Sequence, residues 1–204
     1  MQTMKALERF TTGRASRRLK ELSAMNTPFI SFPVLLTERL ILRRMKDEDV
    51  DDLFNMRKDP EMHEYTDTMP DQAIKETFSY MEKMDKGIEE GKWILWVLET
   101  KLSGRVIGSV SIWNFNDKKT TAELGYGIIP FEQGKGYMTE ALRKVLEFCF
   151  KELGMEWIEA YTEEDNSKST SMLERLGFVE VNRVIDQGYN KERFYNMIVF
   201  RKGK

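Results

Sequence analysis

The order of apolar patterns along this 204-residue chain predicts an α/β (mixed α+β) fold built on a mixed, mostly antiparallel central sheet. Three observations carry that expectation. β-rich runs follow one another through polar turns between Trp93 and Ile129, which makes hairpins and therefore antiparallel neighbours. A glycine-rich stretch then leads from a strand into a helix, and the chain returns as a strand, Trp157 to Thr162, parallel to the one before the helix. Two last runs close a final hairpin.

Residues 1–33 carry a net charge of +4 in a chain whose total is -2, so the remainder carries -6. Sparse apolar residues, closed by Pro28 and Pro33, make this segment a basic extension of a domain that occupies residues 34–204. Leu35 to Arg43 reads as the first strand. Lys46 to Arg57 reads as a helix, with Asp47, Glu48 and Asp49 at its start and Val50, Leu53, Phe54 and Met56 as its apolar stripe. The polar stretch from Lys58 to Pro70 is a loop, and Asp71 to Lys86 is the next helix. Trp93 to Leu98 and Arg105 to Trp113 form a hairpin through Ser103-Gly104, and the turn Asn114 to Lys119 leads to the central strand, Ala122 to Ile129. From Thr139, the residues Leu142, Val145, Leu146, Cys149 and Leu153 fall at helical spacing until Gly154 ends the helix. After Trp157 to Thr162 and a polar loop, Ser167 to Leu176 is a short helix stopped by Gly177. Phe178 to Ile185 and Arg193 to Phe200 then pair through Gln187-Gly188-Tyr189-Asn190.

Composition excludes several classes of function. With 41% hydrophobic and 32% charged residues the chain has the makeup of a soluble globular domain, and its near balance of 32 basic and 34 acidic residues argues against direct nucleic-acid binding. No apolar run approaches the roughly 20 residues a membrane helix needs, and no signal-peptide core stands at the N-terminus. A single cysteine, Cys149, forms no internal disulfide and falls on the apolar stripe of a helix, so a cytoplasmic protein with a core cysteine is expected. His/Cys groups at metal-ligand spacing are absent, and the only histidine, His63, is expected at the surface of the loop before Pro70.

The strand-to-helix junction Gln133-Gly134-Lys135-Gly136-Tyr137-Met138 carries the chemistry. Two glycines at a helix entrance let backbone approach a ligand, and the free N–H groups of the first turn favour a phosphate. A P-loop is ruled out, since Ile129 stands where its first glycine belongs and Gly136 where its hydroxyl belongs. Dinucleotide fingerprints starting at Gly125 or Gly134 fail at Pro130 and Thr139.

What remains resembles the acetyl-CoA motif of the GNAT superfamily of N-acetyltransferases: Gln133, two residues, Gly136, one residue, then Met138 where a small residue is usual. Two further stretches support the resemblance. Thr37-Glu38-Arg39-Leu40-Ile41-Leu42-Arg43 followed by an acidic helix resembles the start of the branch that acetylates the N-terminal alanine or serine of ribosomal proteins. Asn166 to Phe178, ending in Leu-Gly-Phe, resembles the family's second motif, although by residues alone it is also ordinary helix capping. The resemblance implies the GNAT fold, with the sheet splayed between its fourth and fifth strands. Acetyl-CoA is the implied co-substrate. Its diphosphate would lie on the amides of Gly134, Lys135, Gly136, Tyr137 and Met138 with Gln133 alongside, its pantetheine on the backbone near Ile128 and Ile129, and its thioester near Asn166 and Ser169.

Amide formation from a thioester needs a deprotonated amine and a proton for the departing thiolate. Many family members supply that proton from a tyrosine, whose position here is Leu173; Ser169 matches a serine that the ribosomal-protein branch places near the sulfur instead. Two carboxylates are candidates for the base. Glu123 begins the central strand, and Asp186 stands in the last hairpin near where that branch keeps a catalytic glutamate. The expected activity is acetyl transfer to an amine, with a protein N-terminus as first candidate, a polyamine or aminoglycoside as the alternative acceptor, and a non-catalytic acyl-CoA-binding module as the alternative outside the class. A monomer and a homodimer are both compatible with the sequence.

Overall fold

Residues 32–187 and 194–204 are described by a computed structural model. The basic segment up to residue 31, and the final turn from Gly188 onward, lie outside the described residues. Eight strands form one sheet: β1 (Leu35–Leu36), β2 (Leu40–Arg43), β3 (Ile94–Thr100), β4 (Val106–Trp113), β5 (Thr121–Ile128), β6 (Trp157–Glu163), β7 (Val179–Asp186) and β8 (Tyr195–Gly203). Their spatial order is β1-β2-β3-β4-β5-β6-β8-β7, and only β5 and β6 are parallel. Among the described residues, four helices of eight residues or more accompany them: α1 (Val50–Arg57), α2 (Ile74–Glu89), α3 (Tyr137–Lys151) and α4 (Ser167–Arg175). No helix among the described residues is long and apolar enough to cross a membrane.

β3 shows how the layers are built. Ile94, Trp96 and Leu98 face one cluster, with Leu142, Val145, Leu146 and Cys149 of α3 and Leu173 of α4; Leu95 and Val97 face another, with Leu53 and Met56 of α1 and Met81 and Ile88 of α2. Alternate residues of a strand point to opposite faces, so a strand buried on both sides reads as one continuous apolar run. Trp96 is fully buried, with edge-on contacts to Phe32 at 6.0 Å and Phe148 at 5.8 Å, and its indole N–H donates to the Pro33 carbonyl at 2.7 Å.

Three expectations need correction. The first strand is two strands, because Thr37 closes a tight turn: its N–H donates to the Leu40 carbonyl at 3.1 Å and its hydroxyl accepts from the Leu40 N–H at 2.9 Å. The helix expected from Lys46 begins as a 3-10 turn, Asp47–Asp49, before α1. Asp49 is buried there and accepts from the two terminal guanidinium nitrogens of Arg43, Nη1 at 2.6 Å and Nη2 at 2.7 Å, so one of the acidic residues read as helix-end charge is a buried ion-pair partner that ties β2 to α1. The helix expected from Asp71 starts at Ile74, because the Asp71 carboxylate is held by Arg57 at 2.7 and 2.8 Å and by the Thr77 hydroxyl at 2.6 Å.

Candidate active site

Parallel pairing of β5 with β6 lasts for three residue pairs, Thr121 with Trp157, Ala122 with Ile158 and Glu123 with Glu159. β5 then continues to Ile128 along β4, while β6 continues to Glu163 along β8. A cleft opens between them toward their C-terminal ends.

At its open end lies the glycine loop. The chain leaves β5 through a 3-10 turn, Pro130–Glu132, and enters α3 with Gly134 at φ 75° and Gly136 at φ 83°, a left-handed conformation that side chains disfavour. The first helical bond runs from the Glu140 N–H to the Gly136 carbonyl at 3.1 Å, so the N–H groups ahead of Glu140 at the helix start have no intrahelical acceptor. Met138 is buried against the core, which explains how a large residue fits where the motif usually keeps a small one. The Gln133 side chain donates to the Ile128 carbonyl at 3.4 Å and accepts from Lys168 Nζ at 2.9 Å, joining the loop to α4 across the cleft.

Midway along β5, the Tyr126 and Ser169 hydroxyls lie 2.7 Å apart. Ser169 is buried and its N–H donates to Asn166 Oδ1 at 3.1 Å, so Asn166 caps α4 and fixes where that serine sits. Burial pushes the Tyr126 phenol up to about 12, an effect its Ser169 bond only partly offsets. The phenol therefore keeps its proton at neutral pH. Leu173 is fully buried in the core and offers no proton to the cleft. Cys149 is equally buried, and burial pushes its thiol up to about 12, which leaves it protonated and unreactive as a nucleophile.

Glu123 stands at the closed end of the cleft. Burial raises its carboxyl above the usual carboxylate range, and the charges of Glu159 and Asp186 raise it further, while a 3.4 Å bond from Asn114 pulls the other way. Glu159 is held by Arg201 at 2.9 and 2.5 Å, and Tyr161 donates to it at 3.4 Å. Asp186 ends β7 opposite Tyr195 and is near enough to act on Glu123, so the two candidate bases belong to one electrostatic neighbourhood. By strand alternation Glu123 projects to the face opposite Tyr126. Met62 lies on that face, 3.2 Å from the point a Cβ on Gly127 would occupy. His63, expected at the surface, is half-buried: its ring nitrogens lie 2.7 Å from the Arg57 carbonyl and 2.7 Å from the Thr68 hydroxyl, where it braces the loop carrying Met62.

Tyr126, Glu159 and Lys168 are not among the site candidates that the sequence offers. For Tyr126 a signal existed, since Ala122, Leu124, Tyr126 and Ile128 share the phase of β5 that faces α3 and α4.

Known proteins share this fold. The acetyltransferase (GNAT) domain matches residues 39–179. Over 147 residues the chain is 31% identical to the uncharacterized N-acetyltransferase YoaA of Bacillus subtilis, an alignment covering 72% of this chain and 83% of that protein. Among solved structures, the ribosomal-protein-S5-alanine acetyltransferase from Vibrio fischeri superposes with a TM-score of 0.72 at 22% identity, over 84% of this chain and 96% of that one. The spermidine N-acetyltransferase from Vibrio cholerae, in complex with CoA and spermine, superposes with a TM-score of 0.69 at 22% identity, over 80% and 95%. With the matched domain running from Arg39 through the glycine loop and Ser169 to the start of β7, the chain belongs to the GNAT acetyltransferase family and is an acyltransferase whose acetyl donor is acetyl-CoA.

Proposed function

We propose that the protein N-acetylates the N-terminal amine of a protein, a ribosomal protein being the first candidate. The observation that carries the mechanism is the division of polar groups between the two faces of β5: Glu123 on one, and the Tyr126–Ser169 pair on the other. A thioester threaded between β5 and β6 has a base on one side and a hydroxyl pair on the other. The diphosphate rests on the amides of Gly134 to Met138, and the pantetheine follows the backbone at Ile128 and Ile129.

Glu123 takes the proton of the amine, directly or through water, and the free amine attacks the thioester carbonyl. An N-terminal amine has a pKa of about 8, so a carboxylate raised by burial is an adequate base. Collapse of the tetrahedral intermediate breaks the C–S bond, Ser169 hydrogen-bonds the departing thiolate with the Tyr126 phenol behind it, and the second proton shed by the attacking nitrogen passes through solvent to the thiolate. The reaction runs in the cytoplasm, where a lone thiol such as Cys149 stays reduced.

A polyamine acceptor is the second reading. It is favoured by the carboxylates of Glu123, Glu159 and Asp186, which suit an acceptor carrying more than one positive charge. Thiol release from acetyl-CoA, measured with peptides beginning in alanine or serine and with spermidine, decides between them. The first reading predicts the higher kcat/KM for a peptide; a higher value for spermidine overturns it.

Ser169→Ala should lower kcat by roughly tenfold to a thousandfold, the scale of one lost donor at a reacting atom, with acetyl-CoA affinity by calorimetry unchanged. Normal turnover would reduce Ser169 to a structural residue of α4. For the base, the rate should climb with pH as the raised Glu123 carboxyl loses its proton. Glu123→Gln should depress the rate most near neutral pH and recover in part as free amine accumulates. Asp186→Asn is the control: if the pH-dependent loss appears only there, the base belongs to the last hairpin.

A further inference from the structure

Arg39, in the turn between β1 and β2, reaches across the fold to the glycine loop. Its backbone N–H donates to Glu140 Oε1 at 2.8 Å, its Nε to Glu140 Oε2 at 2.6 Å, and its Nη1 to the Lys135 carbonyl at 2.9 Å. The guanidinium carbon stands 4.3 Å from the centre of the Tyr137 ring. Nη2 is 3.4 Å from the point a Cβ on Gly136 would occupy. One side chain thus touches Lys135, Gly136, Tyr137 and Glu140, the last half of the loop and the first turn of α3.

Glu140 explains why such a contact is needed. A carboxylate in the first turn suits the helix dipole, but the same charge opposes a diphosphate on the neighbouring amides. Arg39 meets that carboxylate with two donors, its backbone N–H and its charged Nε, one on each oxygen. Its third donor holds the Lys135 carbonyl, an oxygen that would repel a phosphate if it turned toward one.

We propose that Arg39 is a positioning residue for acetyl-CoA: it fixes the Lys135–Gly136 backbone for diphosphate binding and cancels the charge of Glu140 beside it. The proposal rests on the reading that the diphosphate lies on the amides of Gly134 to Met138. It gives a physical role to the arginine of the Thr37-Glu38-Arg39-Leu40 stretch, far in sequence from the loop it serves.

The test is steady-state kinetics with two donors, acetyl-CoA and acetyl-pantetheine, the second of which has no diphosphate. Arg39→Ala should raise KM for acetyl-CoA by about tenfold, with kcat and the kcat/KM for acetyl-pantetheine held within about twofold. Adding Glu140→Gln to Arg39→Ala should recover part of the loss, because the uncompensated charge is gone. Arg39→Lys, which keeps the charge without the planar fork, should fall between wild type and Arg39→Ala and serves if the alanine variant does not fold. Equal losses on both donors would overturn the proposal, since Arg39 would then only support the fold. Unchanged acetyl-CoA kinetics in Arg39→Ala, beside a Gly136→Val variant that has lost acetyl-CoA, would also overturn it while leaving the loop reading intact. Unchanged kinetics in both variants would remove the loop reading and the proposal together.

Discussion

The cleft exists because parallel pairing between β5 and β6 stops after Glu123 and Glu159. Each strand is held by its other neighbour, β5 by six antiparallel pairs with β4 and β6 by seven with β8. Two halves of a twisted sheet that share three pairs at one end must separate at the other. The backbone edge of β5 beyond Glu123 is thereby open for a ligand to pair with. A ladder continued to Ile128 would leave nowhere for a thioester to lie, and the glycine loop at the head of α3 would face a closed sheet.

Chemistry is divided by the same strand. Period-two alternation sends Glu123 to one face and Tyr126 to the other, so a carboxylate and a hydroxyl pair stand on opposite sides of one edge. Neither group needs an unusual residue. Burial and neighbouring carboxylates raise Glu123, while burial keeps Tyr126 protonated. Leu173 is fully buried in the core, and Tyr126 brings a phenol to Ser169 from the β5 side of the cleft.

How much of this was legible in the sequence depends on how local each cause is. The loop at Gly134 and Gly136 was readable because positive φ at a helix entrance leaves a mark in residue type. The parallel crossover was readable because a helix lies between its strands. The β1–β2 turn was missed because it is closed by a threonine side chain and contains neither glycine nor proline. Buried ion pairs such as Arg43 with Asp49 were missed because a surface charge and a buried one look alike in a sequence. Tyr126 with Ser169 and Arg39 with Glu140 join residues 43 and 101 positions apart, contacts that no periodicity encodes. Hydrophobic patterns locate strands and helices, but only the assembled sheet decides which polar side chains meet.

We propose that acetyl-CoA enters the cleft with its diphosphate on the loop between β5 and α3. An assigned amide NMR titration tests it most directly, run once with acetyl-CoA and once with acetyl-pantetheine. The Gly134, Gly136, Tyr137 and Met138 amides should be among the most strongly shifted by acetyl-CoA and stay in place with acetyl-pantetheine, while amides along the free edge of β5 respond to both. Loop amides that do not move with acetyl-CoA, or that move equally with both donors, would contradict it.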